Sequence, residues 1–286
     1  MSHLLCFGLG YSAGYLAERL RAEGWTISGT VRTPEAAARA LAKGYVPVDI
    51  ADSFARLLDV LPAVTHLLVS APPDRDGDPL LLRHAAPIVS APNLTWIGYL
   101  STVGVYGDRN GAWVDETTAP APQTDRSRRR LEAEDAWLAL GRSRAIRVEI
   151  FRLPGIYGPG RSAIDNLRAG TVRRIVKPGH VFNRIHVVDI ANVLAAAITS
   201  GTHNDIYNVV DDEPASSEDV LLYAAALLGV APPSPIPIAS IESPMTRSFY
   251  SECRRVSNKR IKNDLGVTLV YPTFREGLQA IASGHR

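Results

Sequence analysis

The strongest constraint on the fold is a glycine-rich segment that joins an apolar run to a helical pattern at the start of the chain. The run His3–Phe7 leads directly into Gly8–Ala13 (GLGYSA), and small and apolar residues then recur at helical spacing over Ala13–Glu23. Gly8 permits a tight turn, Gly10 leaves the backbone open to a close neighbour, and the final alanine lets the helix pack closely on the strand. This order is typical of the first strand–turn–helix unit of an α/β protein.

The same alternation continues through the first 150 residues. Further apolar runs predict strands, which are Trp25–Val31, Tyr45–Val48, Thr65–Ser70, Leu94–Leu100 and Ile146–Phe151. The helical patterns between them are Pro34–Lys43, Ser53–Leu61, Pro79–Ser90 and Arg126–Leu140. Strands separated by helices of about ten to fifteen residues predict parallel pairing, with helices on both faces of one sheet. We therefore expect an α/β fold with a doubly wound Rossmann parallel sheet.

The sequence pattern changes after Leu153, where prolines and glycines interrupt the alternation. The later part predicts a helix, a strand added to the main sheet and a helix capped by Ser216, which are Asp189–Ser200, Ile206–Val210 and Ser217–Leu228. We expect residues 1–153, with about 186–210, to form the first domain. Residues 154–185 and 211–286 are expected to form a smaller, interleaved C-terminal substrate domain.

Composition excludes several classes of protein. The 286 residues are 46% hydrophobic and carry 31 basic against 29 acidic side chains, so disorder is not expected, and nucleic acid is not an expected partner. Cys6 and Cys253 cannot form a disulfide framework. No apolar stretch approaches the roughly 20 residues of a membrane helix, and Leu4–Leu16 lacks the basic residues that precede a signal sequence. We expect a cytoplasmic protein with no membrane partner and no metal site.

The glycine-rich segment predicts a dinucleotide site, because the N-terminus of the following helix attracts a pyrophosphate. An NAD-preferring site usually has an Asp or Glu about 20 residues further on. The range Ser28–Thr33 offers no carboxylate, whereas Arg32 can pair with a 2′-phosphate, helped by the hydroxyl of Thr30 or Thr33. We therefore expect NADP(H) in preference to NAD(H). The alternatives are that Arg32 is a plain surface residue and that the glycines only turn the chain.

Other residues near strand ends complete the expected cofactor site. Asp49 ends the third predicted strand and either meets the adenine or caps a turn. The full set of expected cofactor contacts is Gly8, Gly10, Tyr11, Ser12, Ala13, Arg32, Asp49, Ser70, Ala71, Pro72 and Pro154.

Several segments in the correct order resemble the extended short-chain dehydrogenase/reductase family, in its NAD(P)-dependent epimerase/dehydratase branch. Besides the glycine segment, they are Leu100–Gly107 (LSTVGVYG), Arg152–Arg161 (RLPGIYGPGR) and Arg184–Ala191 (RIHVVDIA). The segment Tyr207–Pro214 (YNVVDDEP) is similar to the atypical YeeZ-like group within this branch. The resemblance implies a Rossmann fold, an NAD(P) cofactor and a small-molecule substrate, in a monomer or homodimer.

The resemblance also implies catalytic positions, and this chain departs from one of them. Thr102 matches the Ser or Thr that binds the reacting oxygen. The Tyr-x-x-x-Lys pair of the family is replaced by Arg126 and Arg130, which share a helix face. Arg126 cannot act as a general acid or base near neutral pH, because the guanidinium pKa exceeds about 12. Arg130 can still supply positive charge to the ribose or substrate. The alternative is that both belong to a solvated basic face.

Three residues could replace the family tyrosine as proton donor, namely Tyr106, Tyr157 and His186. Either Tyr106 or a bound water is the leading candidate. Tyr106 has an alternative packing role, and a structural histidine is the favoured interpretation of His186. Glu116, Tyr157, Arg161 and Arg184 are expected on the substrate side, where the resemblance implies arginine contacts to a diphosphate. Bracing of a loop is the alternative for the arginines.

Together these features predict an NADP(H)-dependent oxidoreductase or epimerase-like enzyme without the usual Tyr/Lys pair. Its substrate would be a small polar molecule, sugar-like or a nucleotide sugar, that reacts at a carbonyl or hydroxyl. Thr102, Tyr106 and Arg130 are the expected catalytic residues. The alternative is an NADP(H)-binding regulatory or sensor protein that has lost the chemistry.

Overall fold

The computed structural model describes residues 1–51, 54–144, 146–201 and 205–284. Its centre is a seven-stranded sheet in the order β11-β7-β5-β4-β1-β2-β3. These strands are β1 (His3–Phe7), β2 (Thr26–Val31), β3 (Val46–Asp49), β4 (His66–Val69), β5 (Trp96–Thr102), β7 (Arg147–Leu153) and β11 (Ile206–Asn208). The neighbours from β3 to β5 pair in parallel, as the alternation of strands and helices requires.

Helices connect these strands and cover the sheet. They are α1 (Tyr11–Ala22), α2 (Pro34–Ala42), α3 (Ala55–Val60), α4 (Pro79–Val89), α5 (Asp125–Arg144) and α7 (Val187–Ser200). The buried face of α1 includes Leu16 and Leu20, while Trp137 of α5 packs in a core with Leu67 and Val148 of the sheet. The predicted doubly wound α/β fold is confirmed.

The chain forms two compact units that interleave along the sequence. The first comprises residues 1–102, 125–152 and 190–207, and the second 103–124, 153–189 and 208–286. The segment 103–124, expected in the first domain, thus belongs to the second unit. The physical reason is a long-range pairing, because the two-residue strand β6 (Trp113–Val114) pairs with β13 (Arg255–Val256), far along the chain.

The second unit contains short strands and small helices. Besides β6 and β13, its strands are β8 (Gly155–Tyr157), β9 (Arg174–Val176), β10 (Arg184–His186) and β12 (Pro235–Pro237). Its helices are α6 (Ala163–Arg168), α8 (Ser217–Leu228), α9 (Pro244–Phe249), α10 (Lys259–Leu265) and α11 (Phe274–Ala282). The strands β8 and β10 pair in parallel, and so do β9 and β12. Ser216 caps α8 as predicted, since its side chain accepts the backbone N–H of Asp219.

Element boundaries differ from the sequence predictions by a few residues. The strand expected at Leu94–Leu100 is Trp96–Thr102, so Thr102 is its last residue. The helix expected at Arg126–Leu140 extends over Asp125–Arg144. Ser53, the first residue of another predicted helix, lies outside the described residues.

A buried ion pair attaches α5 to the sheet. Arg152 of β7 donates from Nη2 to Glu134 Oε2 at 2.6 Å and from Nε to both carboxylate oxygens at 3.2 Å. The hydroxyl of Ser101, in β5, donates to the same carboxylate. The side chains of Arg152 and Glu134 are only 2% and 1% exposed, so neither charge can be solvated if its partner is lost.

We expect Arg152→Met to lower the free energy of unfolding by about 3–5 kcal/mol, because it leaves the Glu134 charge buried without its cation. Denaturant unfolding followed by circular dichroism measures the change. The double variant Arg152→Met/Glu134→Leu should regain much of the loss. Asp125→Asn, which removes the exposed pair with Arg128, should leave the midpoint unchanged. An unchanged midpoint for Arg152→Met would contradict the structural role of the pair.

Candidate functional site

Gly8 makes the turn between β1 and α1 in a conformation that favours glycine. Its φ is +95°, and a Cβ there would lie 2.8 Å from Ser70 Oγ and 2.9 Å from the backbone nitrogen of Ala71. Its N–H donates to Thr30 Oγ1 at 2.8 Å, and its carbonyl accepts the hydroxyl of Ser70. These contacts join the carboxyl ends of β1, β2 and β4, which is where ligands bind in open α/β sheets.

The N-terminus of α1 is suited to an anionic ligand. Gly10 is its N-cap, with φ of −96°, and, apart from its chain neighbours and the helix's own backbone, no atom of the described residues lies within 4 Å of where its Cβ would be. Within the described ranges no side chain caps the helix, and its first turn contains no acidic residue. Its first N–H groups are thus not neutralised by a carboxylate of the helix itself, which fits a pyrophosphate at this junction.

The remaining residues of the glycine segment are packed into the first unit. Ser12 and Ala13 are buried, while the ring of Tyr11 makes an edge contact with that of Tyr15 at 5.5 Å. Leu9 lies over Gly29 of β2, where a Cβ would approach Leu9 Cδ2 to 2.7 Å. A glycine in the second strand therefore makes room for the loop that follows the first.

Arg32 is exposed just beyond β2, and among the described residues it makes no hydrogen bond or ion pair. The two hydroxyls expected to assist it each accept a backbone N–H, which by itself leaves their own O–H groups able to donate. Thr30 accepts from the N–H of Gly8, and Thr33 caps α2 by accepting from Ala36 at 3.2 Å. The exposed guanidinium is therefore the positively charged group that this end of β2 offers to a phosphate.

Asp49 ends β3 and is exposed. Its Oδ1 accepts the backbone N–H of Ala51 at 2.9 Å, which is a local turn. This contact favours the turn role over the adenine contact. Ala71 is buried and Pro72 exposed after β4, and Pro154 is half-buried just before β8.

Arg130 lies beside the end of β5, near the position of Thr102. Its Nη1 donates to the carbonyl of Leu100 at 2.5 Å and to the hydroxyl of Tyr99 at 3.3 Å. Burial raises the pKa of Tyr99 to about 12, so that phenol remains neutral. Arg130 is thus a half-buried cation held by the strand, whereas Arg126, one turn earlier, is exposed.

Tyr106 is fully buried in the second unit, and its hydroxyl donates to Asn208 Oδ1 at 2.9 Å. The backbone N–H of Asn208 in turn donates to Glu116 Oε1 at 2.8 Å. Burial raises the pKa of the half-buried Glu116. This geometry favours the packing role of Tyr106 over proton transfer. Sequence reasoning missed Asn208, although it lies within the segment that resembles the YeeZ-like group.

Tyr157, Arg161 and Arg184 line one pocket of about 340 Å³ in the second unit. The hydroxyl of Tyr157 donates to the carbonyl of Thr273 at 3.2 Å, and burial raises its pKa far above neutrality. Tyr157 is therefore a wall of this pocket rather than a proton donor at neutral pH.

His186 is buried, and burial lowers its pKa to about 4. Its Nδ1 accepts the N–H of Val188 at 3.3 Å, and its ring packs 4.1 Å from that of Tyr271 and 5.1 Å from that of Tyr157. These contacts agree with the structural interpretation of this histidine. Within the described ranges, no group of three or more His, Cys, Asp or Glu side chains could hold a metal ion, and no helix could cross a membrane.

The sequence model of the NAD dependent epimerase/dehydratase family matches residues 8–209, from the glycine turn to the last strand of the sheet. The chain belongs to the NAD-dependent epimerase/dehydratase family. Within it, protein YeeZ of Escherichia coli strain K12 is 30% identical over 289 aligned positions, which cover 95% of this chain and 97% of YeeZ. The resemblance to the YeeZ-like group is thereby confirmed.

Solved structures of similar proteins agree with the fold. A functionally unknown conserved protein from Silicibacter pomeroyi is 45% identical, with a TM-score of 0.91 and 99% of each chain covered. The UDP-glucose 4-epimerase of Thermus thermophilus, in complex with NAD, has a TM-score of 0.77 at 19% identity, with 100% of this chain and 98% of that chain covered. At that identity the likeness concerns the fold alone.

We expect Gly8→Ala to lower the free energy of unfolding by about 1–3 kcal/mol, because the new Cβ adopts a disfavoured φ against Ser70 and Ala71. Thermal and denaturant unfolding measure the loss. Gly10→Ala is the matched control, since its φ is ordinary and its Cβ would meet open space, and it should change stability by no more than about 0.5 kcal/mol. Equal stability of the two variants would contradict the strained turn.

Proposed function

We propose that the chain is an NADP(H)-dependent oxidoreductase or epimerase-like enzyme that acts on a carbonyl or hydroxyl of a small polar or sugar-like substrate. The observation that carries the proposal is the junction of β1 and α1. There the backbone of Gly8 is hydrogen-bonded to Thr30 in β2 and to Ser70 after β4. Gly10, which has no side chain, leaves the N-terminus of α1 open to a pyrophosphate. Membership of the epimerase/dehydratase family supports the same assignment.

The preference for NADP(H) rests on Arg32. Its exposed guanidinium lies at the end of β2. The range Ser28–Thr33 contains no carboxylate that could accept a hydrogen bond from the ribose 2′-hydroxyl of NAD(H). A guanidinium binds a phosphate through paired, charge-assisted hydrogen bonds. We place the middle of the dinucleotide near Ser70, Ala71 and Pro72, after β4.

The chemistry proposed for this chain uses the end of β5. When bound, a nicotinamide dinucleotide would supply hydride transfer. Thr102 donates a hydrogen bond to the reacting oxygen, and Arg130 stabilises negative charge that develops there. Because a guanidinium does not release a proton near neutral pH and the hydroxyl of Tyr106 is bound to Asn208, we assign proton transfer to a bound water.

A sensor function is the second candidate, and one observation favours it. Arg126 occupies the position of the family's catalytic tyrosine, and its side chain is exposed on α5. A protein that kept the dinucleotide site and lost catalysis would bind NADPH without turning over any substrate.

We expect the wild-type chain to bind NADPH, measured by fluorescence titration, and Arg32→Glu to weaken that binding by about tenfold or more, because a phosphate contact becomes a repulsion. NADH binding should change much less. Arg39→Glu, an equal change of charge at an exposed position of α2, is the control. Absence of saturable binding of either nucleotide would refute the proposed function.

We expect Thr102→Val to reduce kcat by about a hundredfold with NADPH binding unchanged, because it removes one hydroxyl donor to the reacting oxygen at nearly constant volume. Thr102→Ser keeps the hydroxyl and should retain most of the activity. The assay follows NADPH oxidation with a panel of small aldehydes, ketones and keto sugars. NADPH binding without turnover of any panel member would favour the sensor, and full activity of Thr102→Val would remove Thr102 from the mechanism.

A further inference from the structure

Arg130 of the first unit has several N–H groups that the strand beside it does not use. Its Nη1 uses both of its N–H groups, donating to the carbonyl of Leu100 at 2.5 Å and to the hydroxyl of Tyr99 at 3.3 Å. A guanidinium has five N–H groups. Among the described residues Arg130 makes no further hydrogen bond, so its Nε–H and both Nη2–H groups remain for a ligand.

These remaining donors have the geometry that a carboxylate requires. The Nε–H and one Nη2–H of a guanidinium are parallel, and together they bind both oxygens of a carboxylate through charge-assisted hydrogen bonds. The bonds from Nη1 hold the other side of the group, and the guanidinium carbon of Arg130 lies 5.7 Å from the centre of the Tyr99 ring. The arginine is therefore oriented before a ligand binds, which lowers the entropy lost on binding.

The charge of Arg130 has no internal counter-ion within the described ranges. The side chain is half-buried, and no acidic residue forms an ion pair with it. Asp78 and Glu134, whose charges both act on the phenol beside it, are engaged elsewhere. Asp78 caps α4 and accepts from Trp137 Nε1 at 3.1 Å, and Glu134 is bound to Arg152. A half-buried cation without an internal anion favours an anionic ligand.

Two further arginines lie on the same face of α5. At 3.6 residues per turn, Arg126, Arg129 and Arg130 fall within an arc of about 100°. Arg129 is half-buried, and its Nε is buried with no hydrogen-bond partner among the described residues. Arg128 lies on the other side of the helix and pairs with Asp125 at 2.6 Å. The face that contains Arg130 therefore attracts an anion.

This cation lies close to the residue proposed to hold the reacting oxygen. Thr102 is the last residue of β5 and follows Leu100 by two positions, which is about 7 Å along a strand. A short molecule can therefore reach both Thr102 and the guanidinium that is bonded to the carbonyl of Leu100. A carboxylate next to a carbonyl has this compact form.

We propose that Arg130 binds the carboxylate of a short 2-oxo acid whose carbonyl oxygen accepts from Thr102, while Arg126 and Arg129 add positive charge. The inference rests on the proposed function and deepens it. There Arg130 stabilises only the charge that develops during the reaction, whereas here it also holds a permanent anion. The substrate is thereby narrowed from a small polar or sugar-like molecule to an acid that carries its charge beside the reacting carbon.

The reaction of such an acid balances without a further reagent. The carbonyl carbon gains a hydride from NADPH, and the electron pair of the C=O π bond moves to the oxygen. That oxygen takes a proton from the bound water, which solvent then restores. The products are a 2-hydroxy acid and NADP⁺, and the carboxylate is unchanged.

Ligand-observed NMR titrations test the charge of the ligand without requiring turnover. N-Ethyloxamate is an unreactive analogue of a 2-oxo acid, and N-ethyloxamide replaces only its carboxylate by a neutral amide of similar shape. We expect N-ethyloxamate to bind at least about tenfold more tightly, because only the anion forms charge-assisted bonds with the guanidinium. The titrations use the full chain, with and without NADP⁺.

A pair of isomers tests the spacing between carboxylate and carbonyl. 2-Oxopentanoate and 4-oxopentanoate have the same atoms and charge, and with NADP⁺ neither can be reduced. We expect 2-oxopentanoate to bind about threefold or more tightly than its isomer, because only its carbonyl lies next to the carboxylate and reaches Thr102.

Variants of α5 assign the binding to this face. Arg130→Gln should weaken N-ethyloxamate binding about tenfold or more, and Arg130→Lys, which keeps the charge but loses the paired donors, about threefold or more. Arg126→Gln, at an exposed position where folding is not at risk, should weaken it about twofold or more. The affinity for N-ethyloxamide should stay constant. Arg142→Gln, exposed in the last turn of the same helix, is the control and should bind both ligands as the wild type does.

Equal affinity for N-ethyloxamate and N-ethyloxamide would overturn the proposal. So would an unchanged ratio of these two affinities in both Arg130→Gln and Arg126→Gln. Tighter binding of 4-oxopentanoate than of 2-oxopentanoate would overturn the spacing. If Arg130→Gln weakened the binding of NADPH and left that of N-ethyloxamate unchanged, the anion would be a phosphate of the cofactor, which also contradicts the proposal.

NADPH titration of the same protein separates this test from that of the proposed function. A chain that binds NADPH but not N-ethyloxamate contradicts only the assignment of the 2-oxo acid. A chain that binds N-ethyloxamate through Arg130 but binds neither nucleotide contradicts only the proposed function.

Discussion

The buried pair of Arg152 and Glu134 holds together the part of the first unit that carries the candidate chemistry. Burying two charges is expensive unless each satisfies the other, and here the carboxylate accepts from both Arg152 and Ser101. The pair attaches α5 to two neighbouring strands. Arg130, one turn before Glu134 on α5, can therefore reach the carbonyl of Leu100 at the end of β5. The position of this cation near Thr102 therefore depends on an ion pair buried in the core.

The fold of the first unit was largely predictable because parallel strands buried on both faces appear as short apolar runs. The strand His3–Phe7 has the predicted bounds, and the first unit's other elements differ from the prediction by a few residues. In the second unit, the helix Ser217–Leu228 also has the predicted bounds. The assignment of 103–124 was not predictable in this way. Its strand β6 has two residues and pairs with β13 more than a hundred positions later, so no local periodicity indicates it.

The candidate site likewise has features that local sequence predicts and features that depend on long-range contacts. The glycine turn is a local feature, and its sequence predicts the tight turn at Gly8, where φ is positive, and the open backbone at Gly10. Side-chain partners are different, because they come from distant parts of the chain. The hydroxyl of Tyr106 donates to Asn208, which lies 102 positions later in the sequence. The sequence motif around Tyr106 identifies the tyrosine but gives no indication of this partner. Residue types at such sites can be predicted from sequence, whereas the availability of their polar atoms depends on tertiary packing.

The contact of Leu9 with Gly29 has a consequence for redesign of the cofactor site. Arg32, three positions after Gly29, is the natural target for changing the choice between phosphorylated and unphosphorylated dinucleotides. A side chain at position 29 would collide with Leu9 and displace the loop between β1 and α1. The choice of dinucleotide and the shape of the loop between β1 and α1 therefore depend on different residues in and just after β2. Substitutions at the exposed position 32 can change dinucleotide specificity without disturbing this loop, provided that glycine is kept at position 29.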